Sequence, residues 1–351
     1  MKTLLLFDTN ANEVPKHIPN NTLDFYVKVF NNISSFLNGC KIYELELDYN
    51  GDDYYYDCFT NNIDQEFQTK FINHLPLNDS FDLVITNSCN PIVRKIFPYV
   101  LNLSMGIFGS RPPYPISYNL DPWGQFCQSL TYNAPLINNI KSDVENSKRF
   151  LRKIRHHYPV LTQYKDINLF PFNSESHPYH IQKLKKSQID YFKDFEYKNN
   201  GKVRWTKKPK VNILNKTFEF DYEYLQELPQ EKKIDINSSF LIPYCKKIWA
   251  SHSTLGFQAA LHNVEIDSPS CFYYWKGDRQ GTIGALLDLV WFYDIGSFYD
   301  RIEKLKEFKT IPESLKTASF DIHTYVNSDL NSITVNSSNF NQQNNNDFEY
   351  M

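Results

Sequence analysis

Short apolar runs along this chain alternate with stretches of helical spacing. Residues 3 to 7 (TLLLF) form an apolar run closed by Asp8, Thr9 and Asn10, the pattern of a buried strand that ends in a polar loop. Phe25, Val29, Ile33 and Phe36 then stand at helical spacing, and KIYELEL at 41 to 47 alternates as a strand. The rhythm continues with a helix near 63 to 74, a buried strand FDLVITNSC at 81 to 89, a helical stretch from Asn90 and Pro91 to Phe97, and a strand-like YVLNLSMGIF at 99 to 108. A helix between successive strands predicts parallel pairing and an α/β fold.

The stretch from Gly106 to Gly124, GIFGSRPPYPISYNLDPWG, is too rich in proline and glycine for a plain connection and predicts a long irregular loop, the kind that often carries function. A basic helix follows with Lys148, Arg149, Arg152, Lys153, Arg155, His156 and His157. Strand and helix alternation starts again near Pro159 with VLTQY and INLFPF, then a helix over 181 to 195 and a strand KVRWT at 202 to 206. IWASHSTLGFQAALHNVEIDSP at 248 to 269 reads as one βαβ unit with a polar turn at the strand's carboxyl end. Residues 284 to 308 predict a closing helical region. These patterns divide the chain into two α/β domains, residues 1–158 and 159–327, with an Asn-rich tail at 328–351 expected to be disordered.

Charge narrows the partners. Lys and Arg total 37 against 40 for Asp and Glu, so no global basic field exists for wrapping nucleic acid, and none is expected as a partner. The opening MKTLLLFDTNANEV lacks the h-region of a signal peptide, and no apolar stretch is long enough to span a bilayer, so a cytoplasmic protein is expected. The six cysteines are widely spaced without a C-x-x-C pair, which predicts free thiols and no structural zinc site. His177 and His180 flank Pro178 in a loop, so no metal is expected there.

Candidate chemistry concentrates in two places. In the turn Ser251-His252-Ser253-Thr254-Leu255-Gly256, hydroxyls precede a helix whose first turn offers unpaired N–H groups, a place for an anion. Plain N-capping by Ser or Thr accounts for the same residues. The turn is neither a G-x-x-x-x-G-K-[ST] loop nor a G-x-G-x-x-G fingerprint, which argues against NTP hydrolysis and a dinucleotide cofactor. In the loop, Arg111 could grip a carboxylate or phosphate by paired hydrogen bonds, or serve to close the loop.

SHSTLGFQAALHNVEI resembles the S-S-x-x-G-[FL]-[EQ]-A-L-x-x-x-x-[VI] signature of bacterial capsule and lipopolysaccharide glycosyltransferases that add the acidic sugar Kdo from CMP-Kdo. GIFGSRPPYPISYNLDPWG is similar to their N-terminal stretch, a Gly-led loop with R-x-P-x-P followed by D-P-x-G. The resemblance spans roughly residues 80 to 275. It implies a GT-B architecture, two Rossmann-like domains facing a central cleft, with the acceptor on the first and the nucleotide on the second. It implies that Ser253, Thr254 and Gly256 hold the CMP phosphate, with Ser251 and Gln258 also at the nucleotide. Lys208, in Thr206-Lys207-Lys208-Pro209, stands where the family has the His of T-x-H-P. The implied activity is transfer of Kdo or a related acidic sugar from a CMP-activated donor to a glycan or glycolipid acceptor, without metal or other cofactor. Its implied place is the inner face of the cytoplasmic membrane, with peripheral contact to that membrane or to glycan-assembly proteins.

A transferase that retains donor stereochemistry through a covalent intermediate needs a catalytic carboxylate. Glu175, at the start of the second domain, and Asp121, in the Asp-Pro-Trp-Gly turn, are the candidates. Asp before Pro is equally an ordinary turn former, and for Glu175 an exposed loop carboxylate is the more ordinary reading. Ser104 and Met105 precede Gly106 where the family carries an acidic residue. That departure, with Lys208 in place of His, opens a second reading: a GT-B relative without catalysis, acting as a binding or scaffold subunit of glycan assembly. An unrelated sugar-nucleotide enzyme such as an epimerase without NAD is a third.

Overall fold

The computed structural model describes residues 1–10, 29–35, 37, 39–50, 54, 57–58, 63–108, 113–115, 117–125, 129–173, 186–207, 211–213, 216–218, 223–251, 253–268, 272, 275, 277–292 and 298–311. These fall into two compact units, one through Val100 and the other from Leu101 onward. Both are mixed α/β structures built on parallel strands.

In the first unit β1 (Thr3–Asp8) lies between β2 (Lys41–Leu45) and β3 (Leu83–Thr86), parallel to both. All six residues of β1 are buried, which is why TLLLF reads as an unbroken apolar run: a parallel strand covered on both faces has no solvent side to alternate toward. Helix α1 (Gln65–His74) starts where Asp64 accepts a hydrogen bond from the Phe67 N–H at 2.7 Å, and it buries Phe67, Phe71 and Ile72. Helix α2 (Pro91–Ile96) combines an Asn90 cap, accepting from Ile92 N–H at 3.0 Å, with Pro at its first position. The chain passes from β1 to β2 on one side and returns to β3 on the other. The carboxyl ends of β1 and β3 therefore flank a topological switch point.

In the second unit β4 (Val100–Met105) pairs antiparallel with β5 (Tyr118–Asp121), and β5 is hydrogen-bonded beyond Leu120 to the region before a short last strand. After α3 (Leu130–Asn133) and α4 (Val144–Ile154) comes a four-stranded parallel sheet. Its inner strand β6 (Ile167–Phe172) is followed by α5 (Gln188–Lys198) and β7 (Val203–Lys207), which pairs with β6. A small hairpin, β8 (Val211–Ile213) with β9 (Lys216–Phe218), precedes β10 (Cys245–Trp249) on the other side of β6. Helix α6 (Leu255–Leu261) then leads to β11 (Glu265–Asp267), parallel to β10 at the sheet edge. Helix α7 (Arg279–Leu289), β12 (Trp291–Phe292) and α8 (Phe298–Leu305) close the unit, and β12 pairs with β5.

Pro171 sits inside β6, an inner strand. It lies beyond Leu169, the last β6 residue that pairs with β10, and opposite Thr206 of β7. The two faces of this sheet carry separate cores. Phe170, Phe172, Trp205 and Trp249 pack with Phe192 and Phe195 of α5, while Leu169 and Ile248 pack with Ala259 of α6. Helices on both faces of a parallel sheet make this half Rossmann-like.

Two expectations shift. The expected closing helical region at 284 to 308 is two helices separated by β12, because Trp291 and Phe292 are taken up as an edge strand against Asn119 and Tyr118. Residues 162–164 of the VLTQY run form a tight helical turn rather than a strand. The tail at 328–351 lies outside the described residues.

Candidate functional site

The βαβ unit expected at 248 to 269 is present. β10 runs to Trp249, the turn 250 to 254 leaves its carboxyl end, and α6 returns to β11. Ser251 is buried, whereas Ser253 and Thr254 are half-exposed at the rim. Thr254 stands at the cap position yet makes no side-chain capping hydrogen bond. Ser253 Oγ accepts from the Leu255 N–H at 3.3 Å, and its carbonyl accepts from Gly256 N–H at 3.0 Å. The Thr254 carbonyl accepts from Phe257 and Gln258. Most first-turn N–H groups are thus spent inside the turn, and what it offers an anion is chiefly the two hydroxyls.

Gly256 and Gln258, which the resemblance assigns to the nucleotide, are committed to packing. A β-carbon on Gly256 would overlap the ring of Phe272, so the close approach this glycine permits is to an aromatic ring. Phe272 in turn meets Phe257, Tyr132 and Trp275. Gln258 is 2% exposed and donates from Nε2 to the Phe108 carbonyl at 2.9 Å, while its Oε1 is buried with no partner among the described residues. That hydrogen bond joins the two segments on which the resemblance rests, the α6 block and the GIF run that begins the long loop.

Other contacts converge on the same region. Tyr158 Oη lies 2.7 Å from Tyr114 Oη and 2.9 Å from Nε2 of His262, the residue that ends α6. Burial pulls the His262 imidazole down to about 4, so the ring is neutral at ordinary pH. Gly106, preceded by Ser104 and Met105 where the transferases it resembles carry an acidic residue, leaves no room for a β-carbon beside Ser117 and Trp291. Trp291 Nε1 donates to Ser117 Oγ at 2.6 Å there.

Asp121 is 1% exposed and serves the fold. One carboxylate oxygen accepts from the N–H groups of Trp123 (2.9 Å), Gly124 (3.2 Å) and Leu130 (3.0 Å); the other accepts from Thr131 N–H (2.9 Å) and Thr131 Oγ1 (2.8 Å). Burial pushes its carboxyl up from the usual range, and the hydrogen bonds from Thr131, Trp123 and Leu130 pull it back. This is the turn-forming alternative: five donors saturate the carboxylate, so attack on a sugar carbon would require breaking the turn that holds α3. Glu175, Lys208 and Arg111 lie outside the described residues. Beside Lys208, Thr206 is buried with its hydroxyl 2.7 Å from that of Ser238.

A second polar cluster, at the switch point of the first unit, was not singled out from sequence. Asp8 ends β1 fully buried; its Oδ2 accepts from Tyr54 Oη at 2.8 Å and Ser88 Oγ at 2.5 Å, and its Oδ1 accepts from Asn10 N–H at 3.1 Å. Asn87 exchanges two hydrogen bonds with the Asp8 backbone, at 2.8 and 2.9 Å. Desolvation, then the Asp8 charge, holds the Tyr54 phenol well above its usual range. The signal available was the polar pair Asn87-Ser88 set directly after Thr86, the polar last residue of a strand with no exposed residue. Among the described residues no group of His, Cys, Asp and Glu could hold a metal ion.

No family model and no curated protein sequence matches the chain. Among solved structures it is similar to the β-Kdo 2,7 transferase of Thermosulfurimonas dismutans KpsC, with 15% identity, 86% of this chain and 99% of that chain covered, and a TM-score of 0.47. It is also similar to the β-Kdo 2,4 transferase of the same organism's KpsC, with 14% identity, coverage of 74% and 87%, and a TM-score of 0.43.

Proposed function

We propose that this chain is a glycosyltransferase of GT-B architecture that moves Kdo or a related acidic sugar from a CMP-activated donor onto a bacterial surface glycan. The observation that carries the reading is the hydrogen bond from Gln258 to the Phe108 carbonyl, 2.9 Å long. It brings together two sequence blocks, 150 residues apart, that resemble the same enzymes for separate reasons. The βαβ form of the second block supports it further, because its hydroxyl turn leaves the carboxyl end of a parallel strand, where open α/β sheets collect ligands.

In this reading the second domain, beginning near residue 159, holds the cytidine nucleotide. Ser253 and Thr254 donate to the phosphate, and Lys208 neutralises its charge as a point cation. Gly256 and Gln258 act by holding α6 in place. Glu175 is the carboxylate that supports transfer, as nucleophile or base in a retaining reaction; Asp121 holds the loop. The test is transfer of a radiolabelled sugar from CMP-Kdo to a Kdo-terminated glycolipid. Transfer by the unmodified chain that is abolished in Glu175→Gln, with CMP affinity retained, is the expected result.

One observation favours the non-catalytic alternative. Gly106 and Asp121, both in the loop expected to serve the acceptor, are taken up by Ser117, Trp291 and the α3 turn. A chain that binds CMP but transfers nothing from any CMP sugar would fit that alternative.

A further inference from the structure

The basic segment at 148–157 is unused by the function proposed above. It forms the exposed side of α4 and the turn after it. The other side of α4 is firmly seated: Asn146, Ser147, Phe150 and Ile154 are buried, Ser147 Oγ donates to the Gln280 carbonyl at 2.6 Å and Asn146 Nδ2 to the Gly284 carbonyl at 2.8 Å. Gly284 lets α7 approach so closely that a β-carbon there would overlap the Asp143 carbonyl. The face that α4 presents outward is therefore set by packing.

That face is cationic. Lys148, Arg149, Arg152, Lys153, Arg155, His156 and His157 are all exposed. Spacings of three and four place them in two adjacent rows, Lys148 with Arg152 and Arg149 with Lys153, both continuing into the turn. Lys148 pairs with Glu145 at 2.8 Å, and Arg149 donates to Asn146 Oδ1 at 2.7 Å. Arg152, Lys153 and Arg155 form no ion pair among the described residues. Compensation of the helix dipole asks only for cations in the last turn, and Lys148 and Arg149 lie before it, held by Glu145 and Asn146. Three residues past the last His, Val160 is 82% exposed.

We propose that this face of α4, with the turn to Val160, is a docking surface for a membrane rich in anionic phospholipid. Five Lys and Arg within ten residues, on a chain whose net charge is -3, concentrate positive potential on one side. Val160 adds an apolar contact that a bilayer interface accepts and a phosphate backbone does not. The surface acts from outside the bilayer, as among the described residues no helix is long and apolar enough to cross it. It names the surface for the membrane contact that the resemblance implies, and it does not depend on the transfer reaction.

The experiment is sedimentation of the full chain with vesicles of phosphatidylcholine alone and of phosphatidylcholine mixed with phosphatidylglycerol, at low and high salt. The expected result is partition onto the phosphatidylglycerol vesicles only, weakened by salt. At roughly fivefold per cation removed, the double variant Arg152→Gln, Lys153→Gln should bind about 25-fold more weakly. Both side chains are exposed and form no ion pair among the described residues, so a matching circular dichroism melt verifies the fold. Lys193→Gln, an exposed lysine on α5, should change nothing. Failure of the unmodified chain to partition at low salt, equal loss in the Lys193 variant, or duplex DNA captured through Arg152 and Lys153 in place of vesicles would each overturn the proposal.

Discussion

Gln258 on α6 reaches the backbone of Phe108 and leaves its own carbonyl oxygen buried with no donor among the described residues. One half of the amide ties the helix to the start of the long loop, and the other half pays a desolvation cost. Gln258→Leu removes both, leaving the Phe108 carbonyl buried and unpaired. The expected net loss is about 1 to 3 kcal/mol in urea denaturation, less if the removed orphan oxygen offsets it. An unchanged midpoint would mean that the two blocks hold together without this bond.

Gly256 tests the competing uses of one position. If its backbone is bare to admit the Phe272 ring, Gly256→Ala should destabilise the chain by about 1 to 3 kcal/mol, and adding Phe272→Leu should recover part of that loss. If it is bare to admit phosphate, the cost appears in CMP affinity and the second substitution recovers nothing.

His262 sets a pH dependence. Its folded value of about 4 lies below the ordinary 6.5, so between these limits the unfolded chain holds more protons on this ring than the folded chain. Stability from this group is complete above 6.5 and is lost as pH falls toward 4. His262→Gln should flatten that part of a plot of denaturation midpoint against pH. An identical slope in the variant would place the acid sensitivity elsewhere.

Asp121→Asn replaces an acceptor oxygen with an amide that faces N–H donors. It should cost about 3 kcal/mol or more, because at least one buried donor loses its partner inside a shared network. Proteolysis at the loop should quicken accordingly, with CMP affinity little changed.

The parallel strands were legible because burial on both faces leaves unbroken apolar runs such as TLLLF and LVIT, and the βαβ unit because strand, hydroxyl turn and small-residue helix follow in order. The roles within that unit were not. The pattern L-G-F-Q has the same form whether Gly256 faces a phosphate or a ring, and Phe272 lies too far along the chain for periodicity to pair them. Asp121 was ambiguous for a related reason: only the positions of Leu130 and Thr131 decide whether its carboxylate is spent. The Asp8 cluster escaped notice because polar residues after a strand ordinarily mark an exposed loop, while Tyr54, which covers it, comes from a different part of the chain.

The measurement closest to the central claim is a calorimetric titration of the chain with CMP, UDP and GDP, repeated on Ser253→Ala. A hydrogen bond to a charged phosphate contributes about 1.5 to 3 kcal/mol, so binding selective for CMP should weaken about tenfold or more in the variant. Preference for UDP or GDP, no heat with any of the three, or CMP affinity unaltered by loss of the Ser253 hydroxyl in a folded variant would contradict the claim that this turn holds a cytidine nucleotide donor.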